Sequence, residues 1–252
     1  MPVYSDQLGN TLELDSTPKR IISIVPSQSE LLFDLGLDNE VVGITKFCVH
    51  PQHWLKEKSV IGGTKKLHIE KIRSLDPDLV IANKEENNKE DIESIEVFCP
   101  VWVSDVKDVE SALEMIQSMG DLVGKRREAD ELFERIYAGF QRLKNRQLKK
   151  AIYLIWRNPY MAAGSDTFIH DIMNRVGYKN LVSANRYPEI TLSEMKSLDP
   201  DIVLLSSEPY PFREKHIEKL NSVFDCDIKL VDGELFSWYG SRMLKAINEF
   251  NK

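Results

Sequence analysis

The heptapeptide SLDPDLV, Ser74 to Val80, returns in the second half of the chain as SLDPDIV, Ser197 to Val203. Both copies sit in matching surroundings. IEKIRSLDPDLVIA (Ile69 to Ala82) and LSEMKSLDPDIVLL (Leu192 to Leu205) each run an amphipathic turn or two, meet Asp-Pro and enter an apolar stretch. Proline lacks an amide hydrogen and restricts the residue before it, so each helix is expected to stop ahead of the proline with Asp76 and Asp199 extended. A short, nearly unbroken apolar run is how a strand covered on both faces of a parallel sheet reads. The pairing continues upstream, where KRIISIV (Lys19 to Val25) matches KKAIYLI (Lys149 to Ile155). Each leads into a helical pattern closed by a glycine, Gly36 in SELLFDLG and Gly177 in HDIMNRVG, suited to a helix C-terminus. Each half therefore reads strand, helix, strand, helix, strand. The predicted fold class is α/β, with two Rossmann-like lobes built on parallel sheets.

Between the halves lies KRREADELFERIYAGFQRLKNRQLKK, in which Ala129, Leu132, Phe133, Ile136, Phe140 and Leu143 keep the spacing of one helix face. The expected organisation is an N-terminal lobe over residues 1–124, a long backbone helix over 125–148, and a C-terminal lobe over 149–252. A stiff connection between two α/β lobes leaves a cleft, and clefts at domain interfaces are favoured ligand sites.

Charge narrows the function classes. With a formal net charge of -7 and no lysine-rich block, the chain does not read as a nucleic-acid binder, which needs basic groups to neutralise phosphates. No apolar run approaches the ~20 residues of a membrane span, so no membrane insertion is expected. Three widely spaced cysteines, Cys48, Cys99 and Cys226, suit a reducing compartment better than a disulfide framework. The opening residues show no basic segment followed by an apolar stretch. These points give a cytoplasmic location, with a periplasmic one as the alternative if a leader has been removed.

The ordered set of segments is specific where its members are not. KRIISIVPSQSELLFDLG, VVGITKFCVHP and IGGT with IEKIRSLDPDLVIA resemble the first lobe of the class III, helical-backbone substrate-binding proteins of ABC importers. YMAAGSDTFIHDIMNRVGYKNLV, TLSEMKSLDPDIVLL and VDGELFSWYGSRMLKAI resemble the second. The resemblance runs from about Lys19 to Ala246. It implies capture and delivery of cobalamin, haem or a ferric siderophore in the cleft rather than catalysis, with an ABC permease as the partner that receives it. No cofactor and no metal-ligand set is assigned. A cytoplasmic ligand sensor or metal-binding protein of the same fold is the alternative, and an enzyme a more distant one.

The fold does not name the ligand, so the loops after the carboxyl ends of the predicted strands carry the question. They offer Phe47, Cys48, His50 and Glu86 in the first lobe. The second offers Trp156, Arg157, Tyr160, Glu208, Tyr210, Trp238, Tyr239 and Arg242. Flat amphipathic side chains with a few charges suit a large planar or chelated ligand, through stacking and hydrogen bonds to its rim. CVHPQH (Cys48 to His53) holds metal-ligand residue types, but at no standard zinc spacing. A Cys48–His50 nucleophile pair is disfavoured because near neighbours on one loop rarely face one another. The resemblance also implies a docking glutamate seven residues before the repeat's proline in each lobe. Glu70 stands there in the first copy; the second has Ser193, with Glu194 one position on. One residue is a turn of about 100° on a helix, so weakened docking is expected, in keeping with the cytoplasmic reading.

Overall fold

The computed structural model describes residues 2–143 and 148–252. The chain divides into two compact units: 1–106, 110–137 and 239–242 form one, and 107–109, 138–238 and 243–252 the other.

The first unit is built on a five-stranded, wholly parallel sheet in the order Ser59–Val60, Val41–Ile44, Ile21–Ser23, Leu79–Asn83, Val101–Ser104. The strand that follows the first SLDPD is buried along its whole length, as a strand covered on both faces must be. Strand Val101–Ser104 ends the sheet, and the N-terminal hairpin Val3–Ser5/Thr11–Glu13 protects it. The Gln7 amide donates to the Val103 carbonyl at 3.1 Å, and Trp102 Nε1 donates to the Ser5 carbonyl at 3.2 Å.

The second unit centres on strand Lys149–Trp156. Ile202–Ser206 pairs with it in parallel on one side, followed by Asp227–Val231. On the other side lie the parallel strand Tyr178–Asn180 and the short antiparallel strand Met161–Ala162. This antiparallel strand is the one departure from the expected parallel sheet, and it arises because the chain turns straight back after Trp156.

The repeated phrase does one structural job twice. Helices Ile69–Ser74 and Leu192–Ser197 end as expected, but Asp76 and Asp199 are not extended: their φ values are 46° and 49°. Aspartate tolerates the left-handed region better than most residues, so it closes each helix in the position glycine usually takes, and proline prevents continuation. The second aspartate of each phrase then clamps the neighbouring strand. Asp78 accepts from the Lys19 and Arg20 amides at 2.6 and 3.0 Å, and its own amide donates to the Arg20 carbonyl at 3.0 Å. Asp201 accepts from the Lys150 amide at 2.6 Å and donates to the Lys150 carbonyl at 2.8 Å. The strands therefore start in the same register, Ile21 opposite Leu79 and Ala151 opposite Ile202. Gly36 and Gly177, at φ 78° and 94°, close their helices as the sequence predicts.

The linking helix runs Arg126–Gln141, about 24 Å at ~1.5 Å per residue. It is shorter than the expected span to 148: the Arg142 and Leu143 amides reach back only three residues, to Gly139 and Phe140, which tightens and ends the helix. Residues 144–147 of the predicted helix lie outside the described residues. Ala129, Leu132, Ile136 and Phe140 are buried, as their spacing requires.

Candidate functional site

In the second unit the chain turns immediately after strand Lys149–Trp156, with Asn158 at φ 66°, a conformation asparagine adopts readily. Pairing of Trp156 with Met161 brings Tyr160 back beside the strand end. The Tyr210 amide donates to the Ile155 carbonyl at 3.3 Å, which fixes the loop after strand Ile202–Ser206 against the same strand. The rings of Trp156 and Tyr210 meet edge to face, with centroids 5.6 Å apart. At 39% exposure, Trp156 is the only exposed tryptophan of the four. The Arg157 guanidinium lies against the hydroxyls of Tyr210 and Tyr160, which hold its pKa above the ordinary value.

Behind Tyr210 stands His216, a buried residue that sequence reasoning missed because nothing in YPFREKH separates it from a packing histidine. Its Nδ1 accepts from the Arg213 amide at 2.8 Å, and Nε2 lies 3.4 Å from Tyr210 Oη. Burial first, then the charges of Arg157 and Lys215, push its pKa down and keep it neutral. Glu208, in the same loop, is turned inward. Its Oε1 accepts from Ser237 Oγ at 2.9 Å and Trp238 Nε1 at 2.8 Å, while burial outweighs these donors and raises its pKa.

In the first unit Phe47 is 50% exposed at the end of strand Val41–Ile44, with Lys46 Nζ 5.0 Å from its ring centroid. His50 and Glu86 are half-buried on neighbouring loops. Glu86 Oε1 accepts from Tyr239 Oη at 3.2 Å.

Four of the expected ligand residues are not surface groups. Cys48 is fully buried, its Sγ 3.0 Å from Ser29 Oγ and 3.2 Å from Thr45 Oγ1, and burial pushes its thiol pKa up. Trp238 and Tyr239 are buried, and burial drives the Tyr239 phenol well above its ordinary value. Arg242 is buried in a two-pronged pair with Glu30. Of the four only Cys48 lies in a loop directly after a strand; Trp238 and Tyr239 sit between helices Glu234–Ser237 and Arg242–Phe250, and Arg242 opens the second of these. Phe47, His50, Glu86, Trp156, Arg157, Tyr160 and Tyr210 keep at least partial exposure. Among the described residues no group of three or more histidine, cysteine or acidic side chains could hold a metal ion.

Of the docking carboxylates, the Glu70 side chain is 88% exposed. Glu194 closes a capping box: its Oε2 accepts from the Thr191 amide and Oγ1, both at 2.7 Å, and its own amide donates to Thr191 Oγ1 at 3.2 Å.

A family model described as periplasmic binding protein matches residues 21–227. The chain is 25% identical over 269 residues to an uncharacterized ABC transporter substrate-binding lipoprotein, YvrC, of Bacillus subtilis, covering 98% of this chain and 84% of the relative. It is 21% identical over 242 residues to a vitamin B12-binding protein of Vibrio parahaemolyticus, covering 87% and 88%. Its fold is similar to a periplasmic heme binding protein from Pseudomonas aeruginosa, with a TM-score of 0.81 at 21% identity over 93% of this chain and 91% of that one. These findings overturn the cytoplasmic location expected from the sequence, since the family description and the Pseudomonas aeruginosa protein are periplasmic and the Bacillus subtilis relative is a lipoprotein. The expectation leaned on three widely spaced cysteines, which a chain outside the cytoplasm can equally carry unpaired, and also on the opening residues and on the shifted second glutamate. The opening residues carry no information on what precedes them, and the glutamate has a helix-capping role.

Proposed function

The chain belongs to the periplasmic binding protein family, and on that premise we propose that it is the substrate-binding protein of an ABC importer, capturing a large metal-containing or chelated molecule of the cobalamin, haem or ferric siderophore class. The observation that carries this reading is the exposed Trp156 held edge to face by Tyr210, with Arg157 beside it, at the carboxyl end of a parallel strand. Large aromatics are normally drawn into a core; one kept at the surface beside a cation suits a flat ligand. Phe47 with Lys46 offers the same pairing of ring and cation in the first unit. The family is one of binding proteins, and capture without turnover is the activity proposed for this chain.

Titration with haemin, cyanocobalamin or a ferric siderophore is expected to quench tryptophan fluorescence at one ligand per chain. Trp156→Ala should weaken binding about fivefold or more, the loss expected for a desolvated aromatic contact worth ~1 kcal/mol. Unchanged affinity in a folded Trp156→Ala variant, or chemical conversion of the bound molecule, would count against the reading.

Glu70 is the carboxylate proposed to meet a cationic group of the permease, and Glu194 shares that role only insofar as its capping box releases it. In reconstituted uptake, Glu70→Ala is expected to lower transport with ligand affinity unchanged. Equal transport by wild type and variant would remove Glu70 from docking.

A further inference from the structure

We infer that the Arg157–Tyr210 pair is a donor-only subsite that selects a ligand with an anionic, carboxylate-bearing rim over one whose rim carries neutral amides. This deepens the proposed function and rests on it.

The argument starts at His216. Because its Nδ1 accepts the Arg213 amide hydrogen, the ring's own hydrogen sits on Nε2, the nitrogen facing Tyr210 Oη at 3.4 Å. Tyr210 Oη therefore accepts from His216, and the Arg157 guanidinium lies against the same oxygen. A phenol oxygen has two acceptor positions and one hydrogen. Neither a His216 ring protonated on Nε2 nor a guanidinium can accept a hydrogen from Tyr210, so the hydroxyl hydrogen remains for a ligand atom. Arginine brings five N–H donors and no acceptor, and two phenol oxygens cannot occupy all five. Both groups offered to a ligand are then donors, one of them permanently charged.

Charge reinforces the selection. Arg213 and Lys215 belong to the same stretch, and their charges, like that of Arg157, depress His216. Glu208, the carboxylate of this loop, spends its Oε1 on Ser237 and Trp238. Arg157 is the cation that lies against Tyr210, while Glu214 stands between Arg213 and Lys215 in the sequence. An amide rim presents donors as well as acceptors, and its N–H groups would face donors here. A carboxylate presents acceptors only and matches the guanidinium fork.

The test compares three probes on the full chain: ferric protoporphyrin with both propionates free, the same porphyrin with both propionates converted to primary amides, and cyanocobalamin. The free acid is expected to bind about tenfold or more tighter than its bis-amide, the scale of one charge-assisted hydrogen bond. Arg157→Gln and Tyr210→Phe should each erode that preference, lowering affinity for the acid while moving the bis-amide by less than about twofold. If Arg157→Gln does not fold, Tyr210→Phe carries the comparison. Equal binding of acid and bis-amide by wild type, or equal loss of both in the variants, would overturn the inference. Tight binding of cyanocobalamin alone would overturn it too, while leaving the proposed function standing. Binding of none of the three probes would overturn the inference, and the proposed function would then stand or fall on the ferric siderophore titration.

Discussion

Arg242→Ala is expected to destabilise the unit containing residues 1–106 by about 3–5 kcal/mol. Arg242 Nε and Nη2 donate to Glu30 Oε2 and Oε1 at 2.8 and 2.6 Å, a parallel two-pronged pair. The two side chains are only 4% and 17% exposed. Truncating the arginine leaves a carboxylate on helix Pro26–Asp34 with little water to replace its partner, and that uncompensated charge is the source of the loss. The intact pair itself contributes little, because its attraction is set against the desolvation of both ions. The double variant Glu30→Leu/Arg242→Met should therefore recover most of the stability. Arg242→Lys should fall in between, since an ammonium is a point charge and cannot reproduce the fork. Denaturant unfolding of the three variants, with hydrogen exchange on the helix to locate the loss, measures this. A single variant within ~0.5 kcal/mol of wild type, or a double variant no better than the single, would contradict it.

The same pair shows where sequence reading stops. The repeat exposed the α/β class, both strand-and-helix halves and the glycine helix ends, because local chemistry dictates them: a proline cannot continue a helix, and an apolar run of strand length must be covered. Placement of Trp156 and Tyr210 at strand ends followed from the same logic. Side-chain direction did not. Arg242 reads as a cation in a strand-end loop, and its partner lies 212 residues away. Cys48 follows a strand as Phe47 does, yet Phe47 is exposed and Cys48 faces Ser29 and Thr45. One residue of separation in a loop reverses direction, and no periodicity marks which of two neighbours faces out. His216 was hidden for the complementary reason, since its role lies in a hydrogen-bond chain to Tyr210 that only tertiary contact creates. The aspartates of SLDPD were legible as helix terminators but not as left-handed residues, because the extended preference before proline was outweighed by the demands of the helix end.

Gly164→Ala should be the most damaging glycine substitution in the second unit, at roughly 3 kcal/mol or more. A Cβ at this position would lie 2.0 Å from the Ala184 carbonyl oxygen and 2.8 Å from that of Arg186. Both obstacles are backbone, so no rotamer change relieves them. The contacts that hold those carbonyls close are hydrogen bonds of the same segment: the Gly164 amide donates to Arg186 at 2.7 Å, Ser165 to Ala184 at 2.9 Å, and Ala162 to Pro188 at 3.0 Å. Making room breaks them together. Gly9→Ala is the control, since Gly9 has a φ of 87° but nothing within 4 Å of a Cβ. It should show only the left-handed backbone penalty of about 1 kcal/mol. For a chain of this size the two variants should differ in melting temperature by on the order of 4–8 °C. Equal melting of the two would mean that the loop 184–186 yields freely. Because strand Met161–Ala162 leads directly into Gly164 and pairs with Trp156, the same displacement should pull Tyr160 away from Arg157. Gly164→Ala is accordingly expected to lose ligand affinity along with stability, whereas Gly9→Ala should bind as wild type does.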